Sequence, residues 1–143
     1  MVMNYQPLKH GEFETPIDFF NKLDSEFHFT LDPCATRDNT KCSRFFTKED
    51  DGLNKDWSNE IVFCNPPYNN VSEWVEKSYN EAKYHNAIVV MLIPSRTDTK
   101  WFHKYCLENE IRFVKGRLKF GKDSAPFPSM LVIFKNKVTE NAR

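Results

Sequence analysis

Apolar residues fall along this chain in short runs, each ended by proline, asparagine or glycine. Ile61–Cys64 (IVFC) is four apolar residues long and stops at Asn65-Pro66-Pro67-Tyr68, which predicts a short buried strand running into a stiff loop. Ala87–Ile93 (AIVVMLI) is the clearest buried run, and its continuity fits a parallel strand covered on both faces. Phe27–Leu31 alternates and reads as the first strand, Phe45–Thr47 as a short one, and Ile111–Val114 and Leu131–Phe134 as two more. Three helices are expected. The first opens at Thr15-Pro16-Ile17-Asp18, with Thr15 as cap, proline in the first turn and Phe19, Phe20 and Leu23 facing inward. The second follows a capping box from Asn70 to Glu73 and carries Val71, Val75 and Tyr79 on one line, with Trp74 and Ala82 beside them. The third is capped by Asp98 or Thr99 and packs through Trp101, Phe102 and Tyr105. Gly116–Lys122 alternates basic and apolar residues, as a strand or hairpin with one basic face would. These elements add up to a single α/β domain over residues 1–143, with a leader at 1–13 and a polar tail at 136–143. The sheet is expected to be mostly parallel with a final antiparallel portion and helices on both faces.

Composition agrees with a folded domain and narrows its chemistry. The chain has 143 residues, 40% hydrophobic and 15% aromatic, with 13 Phe and 4 Gly, enough for a proper core. No apolar run approaches the roughly 20 residues that cross a bilayer, and no signal-peptide pattern opens the chain, so a cytoplasmic protein is expected. The 20 basic and 20 acidic residues cancel, which gives no general pull towards phosphate. The charges are uneven, however: Arg112, Lys115, Arg117, Lys119 and Lys122 form an eleven-residue stretch without an acid. Cys34, Cys42, Cys64 and Cys106 form no C-x-x-C pair and no zinc spacing, so neither metal nor disulfide is expected.

The loop Asn65–Tyr68 holds the most specific chemistry. Two consecutive prolines fix the backbone, and Asn65, preceding a proline, is kept out of the helical region. The side-chain oxygen of Asn65 and the carbonyl of Pro66 are two acceptors beside the aromatic face of Tyr68. This set suits a planar NH2 group, such as N6 of adenine. Its lone pair is delocalised into the ring, and two acceptors on its hydrogens favour a more tetrahedral, nucleophilic nitrogen. Asp32 reads equally well as a turn-forming residue or as a ligand-binding acid. Asp50 and Asp51 lie 18 and 19 positions further on. Acids at about that distance hold ribose hydroxyls in dinucleotide folds, while an acidic turn before Gly52 is commonly just solvated. Trp57 is expected beneath this loop.

The ordered set of Glu14-Thr15-Pro16, Leu31-Asp32-Pro33-Cys34-Ala35, Asp51-Gly52-Leu53 with Trp57, Asn65-Pro66-Pro67-Tyr68, Ile93–Phe102 and Gly116–Phe120 spans most of the chain. In this set the chain resembles the small phage-type, Dam-like DNA N6-adenine methyltransferases. The resemblance implies a Rossmann-type, S-adenosylmethionine-dependent fold. It implies methyl transfer to the N6 amine of a flipped adenine in DNA, read as duplex, without a membrane or an obligate protein partner. By the same resemblance, Asn65, Pro66, Pro67 and Tyr68 are catalytic. Thr15, Pro16, Asp32, Pro33, Cys34, Ala35, Asp50, Asp51 and Asn65 hold S-adenosylmethionine, and Arg96, Thr97, Arg117, Lys119 and Lys122 meet DNA. Ala35 stands where methyltransferases generally carry a glycine-rich turn. Two other readings keep some of these features: an amino-methyltransferase acting on RNA or on a protein glutamine, and a nucleic-acid-binding module without catalysis.

Overall fold

The computed structural model describes residues 14–120 and 123–137. The leader at 1–13, Lys122 and most of the polar tail lie outside them. Four strands form one sheet in the order β1-β2-β6-β3: β1 is Ile61–Cys64, β2 Ile88–Pro94, β3 Glu110–Phe113 and β6 Ser129–Phe134. A hairpin of β4 (Lys119–Phe120) and β5 (Asp123–Ser124) stands apart from it. Two longer helices, α1 (Ile17–Phe27) and α2 (Val71–His85), join these strands, with a 3-10 turn at Gly52–Asn54 and a π-helical segment at Phe102–Cys106.

Side chains alternate across the sheet, as strand geometry requires. Val62, Cys64, Val89, Met91, Ile93, Met130, Val132 and Phe134 enter one buried cluster together with Val71, Trp74, Val75 and Ala82 of α2. Phe63, Val90, Leu92, Leu131 and Ile133 enter a second cluster together with Phe20 and Leu23 of α1. The sheet is therefore covered on both faces, which is why β2 and β6 read as unbroken apolar runs.

The expectation of a mostly parallel sheet needs correction. Among the described residues, β1 and β2 pair in parallel, but β6 runs antiparallel to both β2 and β3. Parallel neighbours need a crossover connection, whereas antiparallel neighbours do not. The segment between β3 and β6 builds the β4–β5 hairpin instead of a crossover helix. Parallel pairing continues beyond β1 only as isolated bridges, Leu31 to Val62 and Asp32 to Phe45.

The first expected strand shrinks for a local reason. α1 runs through Phe27, and His28 ends it in the left-handed conformation (φ 58°), its N–H bonded to the Asp24 carbonyl at 2.8 Å. The Asp24 side chain then accepts the Phe29 N–H at 2.9 Å. Phe27 and Phe29 pack on each other, and Phe29 packs on Phe63. Their alternation thus belongs to a helix end and its exit, and strand-like pairing begins only at Leu31. The third helix also departs from expectation, since it closes as a π turn, with the Leu107 N–H bonded to the Phe102 carbonyl at 3.0 Å.

Two loops meet where β1 and its bridged neighbour end. Trp57, fully buried, donates its indole N–H to the Gly52 carbonyl at 3.0 Å and its backbone N–H to Glu81 of α2 at 2.7 Å. It lies beneath the acidic loop as expected. Gly52 approaches the Pro33 carbonyl so closely that an added Cβ would sit 2.1 Å from the oxygen. Gly52→Ala should force two backbone segments apart and destabilise the fold by about 1–3 kcal/mol, measurable as a lower urea midpoint. An unchanged midpoint would show that the two loops separate without cost.

Candidate active site

β1 delivers Asn65 to its carboxyl end, beside the end of the Leu31–Asp32 bridge, because Phe63 donates to the Leu31 carbonyl at 3.0 Å. Three groups then hold Asn65. Its Nδ2 donates to Thr15 Oγ1 at 2.9 Å, and its Oδ1 accepts from the Tyr68 hydroxyl at 2.8 Å. Its backbone carbonyl accepts from the Cys34 thiol at 3.2 Å. That thiol stays protonated and able to donate, because burial and the neighbouring Cys64 sulfur, 3.7 Å away, push its pKa well up.

Two sequence readings change here. Thr15 does not cap α1: among the described residues no side chain does, and the helix starts after Pro16. The Thr15 hydroxyl is engaged by Asn65 instead. Tyr68 is not an open stacking face either. It is 7% exposed, its ring meets Phe127 edge-on at 5.3 Å, and its hydroxyl sits on the Asn65 oxygen that would receive an amine. The loop around Phe127 thus borders Tyr68.

A pair of adjoining recesses lies next to this loop. The smaller is lined by Glu14, Thr15, Asp32, Asn39, Lys41 and Asn65, among others. The larger, about 810 Å³, has Pro33, Asp50, Asp51, Pro67, Asn70 and Trp74 in its walls. Cys34, Ala35 and Thr36 line both. Every residue expected at the cofactor except Pro16 therefore lines one of these two recesses, which share the Cys34–Thr36 wall, and the larger is of a size that takes a small organic ligand.

Asp32 forms the turn that its sequence position allowed, and it also lines the smaller recess. Its carboxylate accepts the Cys34 N–H in that turn at 3.3 Å. Burial raises its pKa to about 6, against the opposing pull of the Cys34 and Lys41 N–H groups and the Lys41 charge. Asp50 and Asp51 each engage one oxygen within their own loop. Asp50 Oδ2 accepts from the Thr47 backbone and hydroxyl at 2.9 and 3.0 Å, which lowers its pKa, and Asp51 accepts from Asn54.

Of the residues expected at DNA, Arg96, Thr97 and Arg117 lie by the Phe127 loop that borders Tyr68. Ser95 bonds to the Pro128 carbonyl at 2.9 Å, so the Arg96–Thr97 loop lies against the Phe127 loop, with both side chains exposed. Arg117 reaches the Ala125 carbonyl at 3.3 Å, and Lys119 is exposed on β4. Lys122 lies outside the described residues. Arg112 leaves the basic run: it forms a forked pair with Glu26 at 2.7 Å and also bonds Glu110.

Sequence reasoning missed several contributors. Gly52 makes a close backbone approach to Pro33, and Lys41 and Asn39 join the smaller recess from a loop without signature. Asn70 and Trp74 were read as a cap and a core residue. Asp56, Glu81 and His85 bring ligand atoms within 4.8 Å of one another, but Glu81 is engaged by Trp57, His85 and Lys77 and acts as a hydrogen-bonded pin.

Fold and site define a class: an α/β protein with a carboxamide fixed by hydrogen bonds beside acid-lined recesses at its strand ends. Comparison with known proteins narrows it. The profile of the DNA N-6-adenine-methyltransferase (Dam) family matches residues 6–142. The chain is 33% identical over 134 residues to a DNA N-6-adenine-methyltransferase of Haemophilus phage HP1 (strain HP1c1), covering 86% of this chain and 78% of that protein. It is 30% identical over 92 residues to one of Escherichia phage T1, covering 63% and 38%. The chain belongs to the Dam family. Among the described residues, no helix is long and apolar enough to cross a membrane.

The raised Asp32 pKa sets a pH dependence. The native state holds this proton more tightly than the unfolded chain. The contribution of Asp32 to stability is thus fully present below about pH 4 and is lost as pH rises through about 6, a change of about 3 kcal/mol. Asp32→Asn should remove that slope, so the variant gains on the wild type in urea unfolding between pH 4 and pH 7. Parallel pH profiles would contradict the assignment.

Proposed function

We propose that this chain is an S-adenosylmethionine-dependent DNA methyltransferase of compact Rossmann-type build that methylates the N6 amine of a flipped adenine. The observation that carries the reading is Asn65: an amide fixed from behind by Thr15, its oxygen held towards Tyr68, in the wall of the smaller recess that shares Cys34, Ala35 and Thr36 with the larger one.

The groove fits S-adenosylmethionine. The buried Asp32 carboxylate suits an ammonium group, and Asp50 and Asp51 suit ribose hydroxyls some distance along. Thr15, Pro16, Pro33, Cys34 and Ala35 shape the stretch between the acids and Asn65. When bound, the cofactor supplies an electrophilic methyl on a sulfonium. The chain's own groups do the rest. An adenine turned out of the helix, at a cost of a few kcal/mol, presents its amine to Asn65 in place of the Tyr68 hydroxyl. Asn65 Oδ1 and the Pro66 carbonyl accept its two hydrogens and localise the nitrogen lone pair, and Pro67 keeps both acceptors in register. Tyr68, buried edge-on against Phe127, backs the loop that meets the base. These dipoles are in place before reaction, so no reorganisation is needed as charge develops on the nitrogen. Arg96, Thr97, Arg117, Lys119 and Lys122 contact the backbone of duplex DNA, which positions the strand without reading sequence. The enzyme works in the cytoplasm and needs no obligate protein partner.

The test is transfer of labelled methyl from S-adenosylmethionine to duplex DNA, single-stranded DNA, RNA and protein extract, with digestion of labelled DNA to nucleosides. N6-methyladenine from duplex DNA is expected. Asn65→Ala should lower the rate by about 10²-fold or more while cofactor affinity, measured by calorimetry, stays within about threefold. Label in RNA or protein would move the substrate, and full activity in Asn65→Ala would refute the mechanism.

A further inference from the structure

Two buried polar atoms in the wall of the larger recess are left without a partner. Among the described residues, neither Asn70 Oδ1 nor the Trp74 indole nitrogen has a hydrogen bond. Both residues line the recess and stand one helical turn apart at the start of α2, and Trp74 is only 6% exposed. The Trp74 ring is fixed. It stacks on Trp57 with centroids 6.2 Å apart and planes 23° apart, and it lies against Gly52, where a Cβ would meet its edge at 3.3 Å.

A core position would not call for this arrangement. An unpartnered buried donor carries a desolvation cost that phenylalanine in the same place would avoid. The pair makes sense if a ligand completes it, and its chemistry limits the ligand. An indole N–H can only donate, so the atom facing it must be an acceptor. The carboxamide oxygen of Asn70, one helical turn before it, requires a donor. Adenine offers this pair on adjacent atoms, a ring nitrogen acceptor next to the N6 amine. Hypoxanthine and guanine present the reverse, a protonated ring nitrogen next to a carbonyl oxygen. Asp50 and Asp51 in the same recess leave a ribose within reach of acids and the base beyond it.

We propose that Asn70 and Trp74 read the adenine edge of the cofactor: the indole donates to a ring nitrogen and the carboxamide accepts from the N6 amine. This rests on the methyltransferase reading and adds to it the residues that make the nucleoside site select its base. The carboxamide can turn over but the indole cannot reverse its polarity, so Trp74 sets the preference.

The test is titration calorimetry of the full chain, without DNA, using S-adenosylhomocysteine and its hypoxanthine counterpart S-inosylhomocysteine. The wild type should prefer the adenosyl compound by about tenfold or more. Trp74→Phe, which keeps an aromatic ring against Trp57, and Asn70→Ala should each weaken adenosyl binding by about tenfold and narrow the preference. The thermal midpoint of the ligand-free variants should be unchanged or higher. Equal affinity of the wild type for the two compounds would overturn the proposal, as would full adenosyl affinity in both variants with a lowered midpoint, the mark of a purely structural pair. A wild type that transfers methyl but does not discriminate sinks this inference alone. One that binds neither compound and transfers nothing sinks the cofactor reading with it.

Discussion

The hydrogen bond between Thr15 and Asn65 joins two parts of the chain fifty residues apart, and the chemistry of the site depends on it. A carboxamide has an acceptor end and a donor end of nearly the same shape, and only the acceptor end can draw on an amine's hydrogens. Thr15, buried at the approach to α1, takes the donor end. The Tyr68 hydroxyl, on the other side, keeps the acceptor end in hydrogen-bonded use. The Cys34 thiol fixes the backbone beneath. A flexible polar side chain is thereby held in one orientation by its own loop and by a residue fifty positions away, on a backbone fixed by a third segment.

The fold exists to bring those elements together. β1 lies between a short parallel neighbour and β2, and α1 and α2 close opposite faces of the sheet. The strand carrying the motif cannot shift by one residue without exchanging its faces, so the position of Asn65 follows from packing. The same packing opens the groove. Pro33 and Gly52 touch backbone to backbone, Trp74 lies against Gly52 and stacks on Trp57, and Glu81 ties that stack to α2. Of the basic residues, Arg112 is paired away with Glu26, while Arg96 and Lys119 remain exposed.

What the sequence revealed and what it hid divide along a physical line. Ile61–Cys64, Ala87–Ile93 and the helix after Asn70 were legible because burial on a fixed face leaves a pattern within a few residues. The Asn65–Tyr68 loop was legible because two prolines restrict the backbone locally. The groove residues Asp32, Asp50 and Asp51 were legible through spacing and order. What stayed hidden depends on partners far along the chain. Thr15 looks like a cap until Asn65 claims its hydroxyl, and Arg112 looks like a phosphate contact until Glu26, 86 residues away, takes its fork. Gly52 looks like turn chemistry until Pro33 arrives against it. Phe27 and Phe29 alternate as a strand would, but a left-handed His28 puts them on a helix exit. The sheet's direction was misjudged because an apolar run does not record which way its neighbour runs.

The most direct measurement is single-turnover methyl transfer to adenine-containing duplex DNA by Thr15→Val and Thr15→Ser, with S-adenosylhomocysteine affinity measured alongside. Valine keeps the shape of threonine and removes the hydroxyl that holds the Asn65 amide. The account predicts that Thr15→Val slows transfer by about tenfold or more with little change in affinity, and that Thr15→Ser restores the rate. Wild-type transfer by Thr15→Val, or a slowing that only follows lost cofactor affinity, would contradict it and leave Thr15 as a wall of the groove.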